Sequence, residues 1–165
     1  MKDNFINLVK PLLPKTDYCS FRFVSKYTNI ISATRGVVEP VITSEDDGLM
    51  VTIFHNGGFG YGATSNLTQQ GILQAVESAK EWADFSKNKL TYSPDLSKLK
   101  NQTGSYYTEE EDNWSKVSMK DKADYLLSVN KALKSQPTIS NWGASMRFNK
   151  ICLLYTSPSP RDNSG

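Results

Sequence analysis

Residues 55–62 read HNGGFGYG and carry four glycines beside the only histidine of the chain. A dinucleotide-binding fingerprint needs a helix directly after its glycines, and here the next helical pattern begins only at Thr68. A phosphate-binding P-loop is also excluded, because no Gly-Lys-Ser/Thr follows. The stretch instead predicts a hairpin turn at Asn56-Gly57 and then a strand with one bare face, which another backbone or a ligand can approach closely. The glycines of that face are Gly58, Gly60 and Gly62.

Further strands are predicted before this stretch, because apolar and polar residues alternate there between turn-forming residues. The predicted strands cover residues 17–27, 28–36, 37–48 and 48–58. Glycine and aspartate mark the connections, and we expect turns at Gly36 and at Asp46-Asp47-Gly48.

Three helices are predicted from apolar residues that recur every three or four positions. They cover residues 3–13, 68–87 and 118–134, with Thr68 and Ser118 as N-caps. Residues 88–117 show no period and predict a long surface excursion, and alternation within 138–150 predicts the beginning of a further strand. Short hairpins followed by helices indicate an α+β fold. We expect a mostly antiparallel sheet of about five to six strands, with helices packed on one face and an incomplete C-terminus.

Individual reactive side chains give little support for catalysis. His55 is either an acid–base or ligand group or a polar residue at a strand end, and we favour the second because no HExxH spacing or convergent ligand set accompanies it. Cys19 is predicted to be a small buried hydrophobe, Trp82 to lie in the core, and Asp46 and Asp47 to form a turn. We therefore predict no catalytic and no metal-binding residue in this chain.

The composition limits the classes of function. The 165 residues are 38% hydrophobic and 22% charged, with a formal net charge of +2. Basic residues are scattered, which argues against a nucleic-acid partner, and no apolar run approaches the length of a membrane span. Two cysteines without a CxxC pair fit a reducing compartment, so we expect a cytoplasmic protein.

Residues 17–85 resemble the N-terminal domain of the TldD/PmbA family, which is also called modulator of DNA gyrase and is classed as zinc metallopeptidases. The resemblance rests on Arg35-Gly36, on GLMVTI at 48–53, and on GGFGYGATSNLT at 57–68 followed by a helix with the pattern AxxxAKxWA. It extends at family level over residues 1–150 and is weak over 88–117.

The resemblance implies a two-domain parent protein. Its N-terminal α+β domain would shape a peptide cleft and a homo- or heterodimer with a family partner. Its C-terminal domain would carry an HExxxH helix and a later cysteine as zinc ligands. This chain would then be a fragment without the zinc motif or cofactor, cleaving no peptide itself. The alternative is a non-catalytic PmbA/TldE-like partner or a peptide-binding module of the same fold. A stand-alone enzyme using His55 is the least favoured hypothesis.

The last residues differ from the rest. Residues 152–162, CLLYTSPSPRD, resemble the translation of a sequencing-library transposase adapter. We therefore expect residues 1–150 to form a truncated domain and residues 151–165 to be a non-native, disordered tail that packs on nothing.

Overall fold

The computed structural model describes residues 2–91, 95–96, 104–135 and 137–156. Helix α1 is followed by a short 3-10 turn, a strand-rich region, two long helices and a last strand. In order these elements are α1 Lys2–Val9, the 3-10 turn Lys10–Leu12, β1 Tyr18–Thr34, β2 Val37–Val38, β3 Ile42–His55, β4 Gly58–Thr64, α2 Gln69–Ser86, α3 Met119–Leu133 and β5 Gly143–Thr156.

The five strands form one open sheet. Strand β1 pairs with β2, β3 and β5, and β4 pairs with β3. The β3–β4 hairpin is antiparallel, with registers such as Val51↔Gly62 and Ile53↔Gly60. Three helices and a mostly antiparallel sheet confirm the predicted α+β class.

Two tight turns carry the expected left-handed backbone. Arg35-Gly36 joins β1 to β2 and Asn56-Gly57 joins β3 to β4, and all four residues have positive φ angles. The predicted turn at Asp46-Asp47-Gly48 is wrong, because these residues lie inside β3. The predicted strands 17–27 and 28–36 are likewise one strand, β1. Pairing with neighbouring strands overrides weak local turn preferences of this kind.

The chain divides into two compact units, which we call unit 1 and unit 2. Unit 1 comprises Met1–Ser25, Asp47–Thr103 and Cys152–Gly165, and unit 2 comprises Lys26–Asp46 and Gly104–Ile151.

Unit 1 is built on an apolar cluster between the sheet and its two helices. Thr68 caps α2 by accepting from the Gly71 N–H, as predicted. The prediction for Trp82 is wrong, since Trp82 is 58% exposed and Phe85 is 64% exposed. Alanines at four-residue spacing form the buried stripe of α2, and Trp82 lies just outside that stripe. The cluster consists of Phe5, Val9, Leu12, Cys19, Phe21, Leu49, Val51, Ile53, Ile72, Ala75, Val76, Ala79 and Ala83.

Unit 2 has a smaller apolar cluster of Ile31, Ala33 and Leu126. A buried polar residue of α3, Asn130, completes it by donating to the Ala33 carbonyl at 2.7 Å and accepting from the Gly36 N–H at 3.0 Å. Ser118 caps α3 by accepting from the Asp121 N–H, as predicted.

Strand β5 extends further than the sequence predicted. Residues 151–156 are part of β5, so they do not form the disordered tail expected from residue 151 onward. The physical reason is that residues 151–155 are a continuous apolar run whose side chains alternate between exposed and half-buried, as they do in a strand. Leu154 is partly buried against the cluster of unit 1, whereas Leu153 and Tyr155 are exposed. Residues 157–165 lie outside the described residues, and the adapter origin of the tail stays a prediction.

Candidate functional site

Strand β4 is the best-defined candidate site, and its position follows from the Asn56-Gly57 turn. That turn folds β4 back onto β3, and β4 pairs with no other described strand. It is therefore an edge strand of the sheet, with one side of its backbone open to a further strand.

The glycine face of β4 is covered by helix α2. A Cβ atom on Gly58, Gly60 or Gly62 would collide with a backbone carbonyl oxygen of the helix, and the three carbonyls belong to Ala83, Ala79 and Ala75 respectively. The sequence left open whether a backbone or a ligand approaches this face. In the structure the approaching backbone is that of α2, so a ligand would reach β4 only at its edge or on its opposite face.

The hydroxyl group of Ser86 occupies the edge of β4 at Phe59, the first residue of the strand whose backbone groups point outward. The Ser86 Oγ, at the C-terminal end of α2, accepts from the Phe59 N–H at 2.8 Å and donates to the Phe59 carbonyl at 2.7 Å. Both polar groups of Phe59 therefore point away from β3. Because a strand repeats every two residues, the N–H and C=O groups of Tyr61 and Ala63 point to the same side.

The role of Ser86 was missed by the sequence interpretation. Its position depends on the α2–β4 packing, so no local sequence signal predicts it. Because Ser86 occupies the edge at Phe59, the free part of the edge consists of the next two residues whose backbone groups point outward, Tyr61 and Ala63.

His55 lies at the end of β3, next to the turn, as the favoured interpretation predicted. Its Nε2 is 3.0 Å from the Asn56 side-chain amide, and its buried Nδ1 has no hydrogen-bond partner among the described residues. The Asn56 N–H donates to Asp17 at 2.7 Å, which holds the turn. This arrangement orients the imidazole beside a turn, and its described hydrogen-bonding contact is with the Asn56 amide rather than with a nucleophile.

Cys19 is buried in the cluster of unit 1, as predicted. Burial raises the pKa of its thiol from 9.0 to about 12, because the apolar surroundings disfavour the thiolate. A protonated, inaccessible thiol is neither a nucleophile nor a metal ligand at neutral pH.

The resemblance assigns its zinc ion to a separate C-terminal domain, and the described residues of this chain do not form a zinc site. Within the part of the chain that the structure describes, no three His, Cys, Asp or Glu side chains are grouped so that they could hold a metal ion. A zinc site needs three or four such ligands, and the described hydrogen-bonding contact of His55 is with the Asn56 amide.

An apolar cavity of about 230 Å³ lies elsewhere in unit 1, among the residues described there. Its walls carry no side chain able to polarise or protonate a substrate. They are formed by Phe5, Leu8, Phe23, Leu49, Leu67, Ile72 and Leu154.

No helix in the described ranges is long and apolar enough to cross a membrane.

Solved structures with the same fold include two proteins described as modulators of DNA gyrase. The one from Thermotoga maritima MSB8 is 14% identical with a TM-score of 0.61, covering 96% of this chain and 34% of its own. The one from Bacteroides thetaiotaomicron VPI-5482 is 12% identical with a TM-score of 0.59, covering 94% of this chain and 35% of its own.

A third structure with this fold is TldE from Thermococcus kodakarensis, at 13% identity and a TM-score of 0.54. This match covers 93% of the present chain and 34% of the TldE chain. The chain thus spans about a third of the length of the solved structures it matches. A search of curated protein sequences found no match.

Residues 19–83 match the family model described as PmbA/TldA metallopeptidase domain 1. The matched range contains β4, its glycines and most of α2. The match and the shared fold confirm the predicted resemblance of residues 19–83 to the first domain of PmbA/TldD proteins.

Proposed function

We propose that this chain is the peptide-binding, non-catalytic first domain of a PmbA/TldD-type metallopeptidase, and that it binds an extended peptide along the free edge of β4. The observation that carries the proposal is the pair of outward-facing residues Tyr61 and Ala63 on an edge strand. Added peptides bind such edges through backbone hydrogen bonds, which give affinity with little sequence preference.

The composition of β4 supports this role. Natural edge strands are protected by lysine, proline, bulges or inward charges. β4 reads GFGYGAT, with no charged residue and no proline, and its register with β3 runs without a bulge from Gly58 to Thr64. Ser86 occupies the edge only at Phe59, so an added peptide would begin its pairing at Tyr61.

Catalysis would belong to another part of the parent protein. The solved structures of this fold are about three times longer than this chain, and a zinc-binding domain of the HExxxH kind is what the resemblance implies for the remainder. The contribution of the present chain would be to hold the peptide backbone extended. If the parent protein is instead a PmbA/TldE-like partner without zinc, it would bind the peptide along the same edge. The proposal also includes a dimer with a family partner and a cytoplasmic location.

The test is a titration of the 165-residue chain with a blocked pentapeptide of alternating threonine and valine, followed by amide hydrogen exchange. We expect exchange at Tyr61 and Ala63 to slow on peptide addition. The Ala63→Pro variant should lose this protection, because proline removes the edge N–H, and Ala63→Ser should keep it. Protection that appears elsewhere, or that survives in Ala63→Pro, would contradict the proposal.

A further inference from the structure

A second surface of unit 1 lies on the face of the sheet opposite to α2. We call it the outer face and define it by Tyr18, Arg22, Met50, Phe54, Phe59 and Tyr61. Its side chains alternate with the residues that point into the cluster of unit 1, such as Cys19 and Val51. They are half-buried or exposed, because no described helix of unit 1 covers them.

Aromatic rings form a continuous row across three strands of the outer face. The ring centroids of Tyr18 and Phe54 are 5.9 Å apart, those of Phe54 and Phe59 are 4.5 Å apart, and those of Phe59 and Tyr61 are 4.4 Å apart. Pairs at these separations are mutually attractive and hold one another's rotamers. The row is therefore a preformed apolar surface.

Arg22 lies on the same face, where none of the described strand segments supplies a counter-charge. Its Nη2 donates to the Met50 Sδ at 3.4 Å, and its Nε is buried with no hydrogen-bond partner among the described residues. The strand segments 18–24, 48–55 and 58–64 contain no aspartate or glutamate. A thioether is a weak acceptor, so the guanidinium keeps most of its donor capacity unused.

We propose that the outer face docks a segment of a partner protein in which a glutamate or aspartate side chain pairs with Arg22 and an adjacent aromatic side chain packs on the aromatic row. Charge complementarity carries this choice of occupant. A carboxylate accepts two parallel hydrogen bonds from a guanidinium, and the terminal Nη groups of Arg22 have only the weakly accepting Met50 thioether as a described partner.

Two other kinds of ligand fit the outer face less well. Small molecules bind in concave pockets, and this face is a sheet surface away from the cavity of unit 1. Nucleic acids need clustered basic residues, and Arg22 is the only cation in the three strand segments. Tyrosine and arginine together on an exposed surface are instead typical of protein–protein hot spots.

The test uses two blocked pentapeptides, serine–phenylalanine–serine–glutamate–serine and its glutamine counterpart. Binding to the 165-residue chain and its variants is followed by NMR through backbone amide signals and, where Arg22 is present, through its Nε–Hε signal, assigned from its loss in Arg22→Met. We expect the glutamate peptide to shift this signal and to bind about fivefold to tenfold more tightly than the glutamine peptide, as a charge-assisted hydrogen bond at a partly exposed site allows. Equal binding of the two peptides, or binding by neither, would overturn the proposal.

Matched variants separate docking from folding. Arg22→Met should abolish the preference for glutamate, and Tyr61→Ala should weaken the binding of both peptides. The control variants Arg147→Met and Tyr125→Ala should have neither effect. Arg147 is exposed, and the exposed fractions of Tyr61 and Tyr125 are 53% and 60%. Arg22→Met should leave the unfolding midpoint unchanged or raised, because it removes an unsatisfied buried donor. A midpoint lowered as far as by a core truncation would assign Arg22 a structural role and overturn the proposal.

Two further controls identify the occupant. Ala63→Pro, which blocks the β4 edge, should leave the Arg22 titration unchanged, so failure of strand addition and failure of outer-face docking are distinguishable. A thymidine decanucleotide should not displace the glutamate peptide. Displacement that falls steeply with added salt would identify a nucleic-acid surface and would overturn the proposal.

Discussion

Units 1 and 2 are stabilised in different ways. Thirteen buried apolar residues form the cluster of unit 1, whereas three form that of unit 2. Among the described residues, unit 2 buries three polar side chains, Asn29, Lys122 and Asn130, whereas unit 1 buries one, Thr16. We expect unit 1 to respond mainly to changes of volume and unit 2 mainly to the loss of hydrogen-bond partners, since an apolar core tolerates polar exchanges at its rim but not overpacking.

The largest effect on stability should come from adding side-chain volume at a position of unit 1 that has no free space. Gly60→Val places a branched side chain against the backbone oxygen of Ala79, and neither backbone can yield without separating α2 from β4. We expect a loss of at least about 4 kcal/mol in the free energy of unfolding, measured by chemical denaturation. Had the glycine face been open to a ligand, as the sequence allowed, valine at position 60 would have left the fold intact.

Ala63→Val is the matched control for that experiment. Ala63 is exposed on the opposite face of the same strand, so valine there should change stability by no more than about 0.5 kcal/mol. A cooperative transition with an unchanged midpoint in Gly60→Val would show that the glycine face is not closely packed.

A polar truncation should have the next largest effect, in unit 2. Asn130→Ala leaves the Ala33 carbonyl and the Gly36 N–H without their partner, and we expect a loss of about 2–3 kcal/mol. Asn149→Ala removes an exposed hydrogen bond to Thr28 and should cost less than about 0.5 kcal/mol. Equal losses in the two variants would refute the assignment of Asn130 as the anchor of the Arg35-Gly36 turn.

A pH effect should follow in unit 1. The pKa of Cys19 is raised in the folded state, so the unfolded chain loses this proton first as the pH rises, and folding stability falls between about pH 9 and pH 12. The slope should reach about 1.4 kcal/mol per pH unit. Denaturation at pH 7 and pH 10 should show this loss in the wild type, and the difference between the two pH values should be smaller by the same amount in Cys19→Ala. An identical pH response in both proteins would exclude Cys19 as its source.

The smallest effect should come from the buried lysine of unit 2. The Lys122 Nζ donates to the Trp114 carbonyl at 2.7 Å and lies 4.0 Å from the centroid of the Trp114 ring. Met keeps the apolar stem and removes a desolvated charge, so Lys122→Met should change stability by less than about 1 kcal/mol in either direction. A loss as large as that of Asn130→Ala would show that the ammonium group is required to hold Trp114.

The comparison also explains which features the sequence could predict. Helix α2 with its Thr68 cap and the Asn56-Gly57 turn are encoded by residues close together in the chain, and both predictions are confirmed. The strand through Asp46-Asp47 and the exposure of Trp82 depend on which surfaces meet in three dimensions, and local patterns gave the wrong result for both.

The features of the candidate site also divide into those that the local sequence indicates and those that depend on contacts in three dimensions. The glycine face of β4 was visible as an alternation, but nothing local distinguishes a helix from a ligand as its occupant. The hydrogen bonds of Ser86 to Phe59 link residues 27 positions apart, and the isolation of Arg22 is a property of three strands together. Both required the sheet register, which periodicity alone does not supply.

The contact between β4 and α2 also joins two repeats of unequal length. Each step matches two strand residues with four helix residues, from Gly58 against Ala83 to Gly62 against Ala75. Two strand residues advance by about 6.7 Å. Four helix residues advance by about 6.0 Å. The mismatch grows by about 0.7 Å per step, so the two ladders stay aligned over three contacts and would lose register within a few more. The strand and helix repeats therefore match over a short distance only, and this distance limits the length of helix that can lie directly against a glycine strand.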